Sequence, residues 1–176
     1  MNIANKVTIS RLVLVPIFVV IYILMGKAYN LAALVFVIAA STDALDGHLA
    51  RSRNLVTTFG KFLDPLVDKI LTISAFVLLT VSNDIPSWAV IVIISRELII
   101  TGFRTIAAGN NVTIAASIYG KAKTMTQSIA ITMLLLNFDF PFNLDMIVFY
   151  LAVILTILSG IDYLIKNKNV LDLHNI

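Results

Sequence analysis

Long apolar runs separated by short polar clusters dominate the chain. Six can be read: Leu12–Met25, Leu31–Ala50, Phe62–Val81, Trp88–Ile106, Ile118–Leu136 and Met146–Lys166. A helix needs about 20 apolar residues to cross a bilayer, and all but the first run approach that length. Residues 3–11 extend the first run, with Ile3, Val7 and Leu14 set among Asn5, Lys6, Thr8 and Arg11. That sided pattern suits a helix lying at a headgroup boundary. Turn-forming residues fill the connections: Gly26 with Asn30, Asn54 with Gly60, Asn83 to Pro86, Gly109 with Asn110 and Asn111, and Asn137 to Asn143. The pattern predicts an all-α polytopic membrane protein of six transmembrane helices, preceded by a short interfacial N-terminal helix. No small-residue cleavage site follows the first run, so a cleaved signal peptide is not expected. With no internal repeat or low-complexity stretch, residues 1–176 are expected to form a single membrane domain.

Composition agrees. The 176 residues are 59% apolar and only 13% charged, with a mean hydropathy of +0.96, whereas soluble domains carry roughly a quarter of their residues as charged types. Six helices would use about 120 residues and leave roughly 55 for connections. That excludes a large extramembrane domain and an ordinary nucleic-acid-binding protein. Zero cysteines exclude disulfides and thiolate metal sites. The net charge of +3 matters less than where the cations stand. With the N-terminus inside, Lys6, Arg11, Arg51, Arg53, Lys61, Arg104, Lys121, Lys123, Lys166 and Lys168 fall on the cytoplasmic side. Lys27 alone faces the other side, with Asp84, Asp139 and Asp145. By the positive-inside rule both termini are expected in the cytoplasm.

Four aspartates interrupt the second and third runs: Asp43, Asp46, Asp64 and Asp68. Near the centre of a bilayer each would cost ~3 kcal/mol, so the set demands partners. Asp43 and Asp46 are three apart and Asp64 and Asp68 four apart, which puts each pair on one helix face. Counted from a loop centred near residue 55, Asp46 and Asp64 both lie nine residues away, and Asp43 and Asp68 lie twelve and thirteen away. At about 1.5 Å per residue the members of each cross-helix pair share a depth. Four carboxylates converging on one volume require cations, and an all-oxygen set selects Mg²⁺, Mn²⁺ or Ca²⁺. A paired divalent site suits in-line phosphoryl displacement. Gly47 and Gly60 allow close approach of a ligand to the backbone, and Arg51 can grip a phosphate bidentately. No covalent nucleophile is in view, and His48 and His174 read as incidental.

Read as one string, these residues are Asp43-x2-Asp46-Gly47-x2-Ala50-Arg51-x8-Gly60-x3-Asp64-x3-Asp68. The string resembles the complete signature of the CDP-alcohol phosphatidyltransferases. Eight fixed residues over 26 positions would arise by chance about once in 10⁸ such chains. The opening Met1-Asn2-Ile3-Ala4-Asn5-Lys6-Val7-Thr8-Ile9-Ser10-Arg11 is similar to the bacterial branch that uses glycerol 3-phosphate as acceptor. So are Ser95-Arg96-Glu97, Thr101-Gly102-x-Arg104, Gly120-Lys121-x-Lys123-Thr124 and Leu158-Ser159-Gly160-Ile161-Asp162-Tyr163. Ala4 departs from the proline usual there, which bears on how the first helix begins rather than on chemistry.

The resemblance implies a six-helix homodimer in the bacterial cell membrane with its site open to the cytoplasm. It implies two divalent cations, Mg²⁺ or Mn²⁺, held by Asp43, Asp46, Asp64 and Asp68, with Asp68 also the general base. CDP-diacylglycerol would be bound by Gly47, Ala50, Arg51, Thr57 and Gly60, with Thr8 close to the nucleotide. The phosphatidyl group would pass to sn-glycerol 3-phosphate, releasing CMP. The acceptor's phosphate needs cations of its own. Arg96 lies inside the fourth run, where an unpaired cation is costly, and Glu97, one residue on, is expected to point away from it. Arg104, Lys121 and Lys123 flank the loop between the fourth and fifth runs. Arg96, Arg104 and Lys121 are the expected acceptor ligands, and Asp162 is expected to partner one of these cations. Other readings stay open: inositol phosphate, serine or phosphatidylglycerol as acceptor, or a divalent-cation transporter.

Overall fold

The computed structural model describes residues 3–27, 30–52, 58–109 and 117–167, with side chains described at 10–27, 30–42, 66, 67, 69–107 and 117–167. Six α-helices follow one another: α1 (Ile3–Met25), α2 (Leu31–Ser52), α3 (Thr58–Val81), α4 (Ser87–Gly109), α5 (Ile118–Leu135) and α6 (Leu144–Lys166). The described residues contain no strand, as the runs of the sequence predict. The beginning of the chain differs from expectation. Residues 3–11 are not a separate interfacial helix but the first turns of α1, which runs unbroken through Pro16. No glycine or asparagine stands near residue 11 to stop the helix, and Arg11 is buried rather than lying at a surface.

The chain divides into two compact units, Met1–Asp84 with Ile131–Pro141 and Ile85–Ala130 with Phe142–Ile176. In the first, α1 packs on α2 and α3, and α2 packs on α3. Five residues join α1 to α2, so the two helices run in opposite directions. Gly26 takes φ +58° with open space around it, and its N–H donates to Tyr22 O at 2.7 Å. Glycine is required there for the left-handed end of the helix rather than for clearance. Asn83, at φ 62°, ends α3 in the same conformation, with the Asp84 N–H returning to Leu79 O at 3.0 Å. The C-terminal ends of α1 and α3 meet there: Tyr22 Oη lies 2.7 Å from Ser82 Oγ, and Lys27 Nζ donates to Asp84 Oδ1 at 2.6 Å. These two helices therefore run in the same direction. Phe18, Phe36, Leu71, Phe76 and Leu79 are fully buried between the helices of this unit.

In the second unit α4 and α6 are parallel. Trp88 stacks on Tyr150 near one end, Arg96 meets Ser159 further on, and Phe103 packs edge-on against Tyr163 near the other end. The unit's part of α5 is tied to both: Lys123 pairs with Glu97 of α4, and Gln127 Nε2 donates to Thr156 Oγ1 of α6 at 2.9 Å.

Helix α6 inverts the pattern of a water-soluble helix. Its buried face includes Thr156, Ser159, Gly160 and Tyr163, while Ile147, Leu151, Ile154, Leu158 and Ile161 are exposed. A helix in water would turn the aliphatic stripe inward. With the turn before it, Pro141–Lys166 is the one helix among the described residues long and apolar enough to cross a membrane. Ser10–Met25, Leu31–Thr42 and Lys69–Val81 are shorter apolar stretches.

The Gln127–Thr156 bond is buried on both sides, so its loss has a measurable cost. Thr156→Val should lower stability in detergent by roughly 0.6–1.7 kcal/mol, the range found for buried interhelical hydrogen bonds in membrane proteins. Gln127→Leu on top of it should then add little. Equal and additive losses in thermal unfolding of the three variants would show that the two side chains are not coupled.

Candidate active site

The motif residues fall on two helices of the first unit. Asp43, Asp46, Gly47, Ala50 and Arg51 lie on α2, and Gly60, Asp64 and Asp68 on α3. Helix boundaries sharpen the expected symmetry. Asp46 stands six residues before the end of α2 and Asp64 six after the start of α3, while Asp43 and Asp68 stand nine and ten residues from those ends. Two packed helices joined by five residues thus carry the carboxylates at matching heights. The side chains of these residues, and of Thr8 on α1, lie outside those described, as does Thr57 altogether. Among the described residues no group of three or more His, Cys, Asp or Glu stands together. The carboxylate donors of α2 and α3 fit hard, oxygen-preferring divalent cations.

The residues expected to hold the acceptor are in the second unit, and the structure alters their roles. Arg96 does not stand apart from Glu97: its Nη1 donates to Glu97 Oε1 at 3.3 Å and its Nη2 to Ser159 Oγ at 3.0 Å. Glu97 also receives Lys123 Nζ on the same oxygen, and that lysine is 4% exposed. Neighbouring residues on a helix do not face one another, but both side chains are long enough to curl together. A carboxylate shared by two cations lowers the cost of burying all three. Gly160 makes the arrangement possible, because a Cβ there would come 3.1 Å from Arg96 Cγ.

The other predicted cations differ in setting. Arg104 is exposed; its Nε donates to Tyr163 Oη at 3.3 Å and its guanidinium lies 5.4 Å from the ring centroid. Lys121 is exposed on the first turn of α5. Asp162 partners none of these expected cations; it pairs with Lys166 one turn on, at 2.7 Å. A polar ladder along α6 was missed in the sequence: Ser159 Oγ donates to Thr156 O at 3.0 Å, and Thr156 Oγ1 to Ala152 O at 2.6 Å. The available signal was the run of small and hydroxyl residues at three- and four-residue spacing.

The model of the CDP-alcohol phosphatidyltransferase family matches residues 1–158. The chain belongs to this family. Its members are membrane-embedded, divalent-cation-dependent transferases. Among the relatives of this phosphatidyltransferase chain, a Bacillus subtilis protein is 41% identical over 99% of each chain. It is named CDP-diacylglycerol–glycerol-3-phosphate 3-phosphatidyltransferase. A Haemophilus influenzae protein of the same name is 40% identical over 93% of this chain and 91% of its own. A probable phosphatidylglycerophosphate synthase of Mycobacterium tuberculosis is 37% identical over 94% of this chain and 81% of its own.

Among the described residues Glu97 is the anion that Arg96 and Lys123 share, so neutralising it removes a partner from both. Glu97→Gln should destabilise this phosphatidyltransferase by roughly 3–5 kcal/mol, whereas Lys121→Ala should stay within about 0.5 kcal/mol. Denaturation in detergent checks both, and a mild Glu97→Gln effect would mean that Arg96 and Lys123 find other anions.

Proposed function

We propose that the chain transfers the phosphatidyl group of CDP-diacylglycerol to sn-glycerol 3-phosphate, giving phosphatidylglycerophosphate and CMP. The observation that carries this is the unbroken eight-residue motif, set on two packed helices with its carboxylates at matching heights. Close likeness over nearly the whole length to relatives named for this reaction supports the acceptor.

The roles follow from chemistry. Asp43, Asp46, Asp64 and Asp68 hold two divalent cations, Mg²⁺ or Mn²⁺, which when bound supply positive charge against the pyrophosphate. Gly47, Ala50 and Gly60 leave room for the nucleotide diphosphate, Arg51 pairs with its phosphate, and Thr8 and Thr57 supply hydroxyls. Asp68 accepts the proton of the primary hydroxyl of glycerol 3-phosphate as that oxygen attacks the phosphorus bearing diacylglycerol. The new P–O bond forms as the bond to the bridging pyrophosphate oxygen breaks, and CMP leaves with the electron pair. Arg96, Arg104 and Lys121 hold the acceptor's own phosphate. The convergence of Arg96 and Lys123 on Glu97 and the exposure of Arg104 and Lys121 favour this assignment.

The whole chain works as one catalytic domain, a homodimer in the bacterial cell membrane. Its six helices cross the bilayer, with both termini and the site on the cytoplasmic side. The inverted face of α6 supports the membrane reading. Lys27, the lone outward cation, is held by Asp84 at the end of α1 that lies away from the motif, in keeping with the orientation.

Purified protein supplied with CDP-diacylglycerol, Mg²⁺ and labelled glycerol 3-phosphate should release CMP, and inositol phosphate, serine and phosphatidylglycerol presented beside it should not. Uptake of Mn²⁺ into sealed vesicles without turnover would point to a transporter instead. Asp68→Asn should lower turnover by about 10²–10⁴-fold, the usual weight of a general base, while leaving much of the metal binding; retained turnover removes Asp68 from that role. Arg104→Ala should raise the KM for glycerol 3-phosphate about tenfold or more, as expected for a charged hydrogen bond worth roughly 1.5–3 kcal/mol. An unchanged KM assigns the phosphate elsewhere.

A further inference from the structure

Arg11 is among the largest fully buried side chains of the protein, 1% exposed. A guanidinium stays charged under all folding conditions, and burying it is costly without an anion. It stands on α1, the helix that packs on both α2 and α3. Two contacts fix its height against each. Phe18 of α1 meets Phe36 of α2, with ring centroids 5.9 Å apart. Because these helices run oppositely, seven residues back from Phe18 to Arg11 correspond to seven forward from Phe36, which is Asp43. Tyr22 of α1 meets Ser82 at the end of α3. Those helices run in the same direction, so eleven residues back from each reach Arg11 and Leu71, three residues from Asp68. Three residues are about 4.5 Å of helix, and helical side chains lean toward the N-terminus, here the direction of Asp68.

The acidic inventory narrows the choice. The first unit holds six aspartates and no glutamate. Asp84 is engaged by Lys27 and Ser82 at the far end of α1, and Asp139 is exposed. The remaining four are the motif carboxylates.

We propose that Arg11 is a positioning residue for the aspartate set, a resident counter-charge at the level of its inner pair, Asp43 and Asp68. It offsets part of the charge of four carboxylates when no divalent cation is bound, and its repulsion sets how tightly those cations bind. The proposal rests on the reading that the four aspartates hold metal, and the controls separate the two.

The full-length protein in detergent, as wild type and as Arg11→Gln, Arg11→Lys, Asp43→Asn, Asp46→Asn and Arg11→Gln/Asp43→Asn, is titrated with Mn²⁺ and melted in chelator and in saturating Mn²⁺. Arg11→Gln should lose several degrees more in chelator than in Mn²⁺ and should bind Mn²⁺ about tenfold tighter or more, as removal of a nearby unit charge implies. Arg11→Lys should stay near wild type in both, and Asp43→Asn should recover most of the stability that Arg11→Gln loses in chelator. Equal losses with and without Mn²⁺, at unchanged affinity, would reduce Arg11 to a packing residue and overturn the proposal. Should Arg11→Gln fail to fold, folding of the double variant supports the counter-charge and its failure overturns it. Wild-type protein that binds no Mn²⁺, or binds it with no sensitivity to Asp46→Asn, refutes the metal reading itself and with it this inference.

Discussion

The cost of burying charge among apolar helices organises this protein. A soluble domain can leave its ionic groups in water, but here 13% of the residues are charged and most of the exposed surface on α6 is aliphatic. Each charge on an inner helix face therefore has to meet an opposite charge, a hydrogen-bonding partner or a ligand. Lys27 meets Asp84, Lys123 and Arg96 share Glu97, and Asp162 takes Lys166. The pairs also lock helix to helix. Lys123–Glu97 joins α5 to α4, and Arg96–Ser159 joins α4 to α6 at a point where Gly160 leaves space for the arginine stem.

That cost also explains which parts of the fold were legible in the sequence. Apart from the start of α1, apolar runs match the six helices to within a few residues, because the period and length of each run are properties of the chain alone. The carboxylate heights were legible for the same reason, since a short link between two helices forces their ends together. Tertiary partnership was not legible. On an isolated helix Glu97 turns away from Arg96, and only the arrival of Lys123 from α5 and of Ser159 and Gly160 from α6 draws the two together. The sided pattern near the terminus marks Arg11 as an orienting surface cation; its burial depends on α2 and α3, which no local pattern reveals.

The acceptor cations show the same limit from another side. Lys121 and Lys123 are two residues apart in sequence and differ in fate: one is exposed on the first turn of α5, the other is buried against Glu97. Positive-inside counting treats them alike, since it weighs only which side of a membrane a cation occupies. Arg104 stays available because its anchor, Tyr163, is neutral and takes one nitrogen of the guanidinium, leaving most of that fork's donors for another ligand.

Both units are net positive by formal charge, so the chemical information lies in how charges are grouped within each. In the first, four motif aspartates stand at matching heights on two packed helices, and carboxylates grouped so call for cations. In the second, Arg96 and Lys123 share Glu97, while Arg104 and Lys121 are exposed. A structural role alone would favour neutral clusters, because any residual charge on a buried face costs free energy. Carboxylates grouped on α2 and α3, and cations on α4 and α5, suit a transferase with one substrate that brings a pyrophosphate and another that brings a phosphate of its own. Of the acceptors considered, serine brings no phosphate to meet the exposed Arg104 and Lys121.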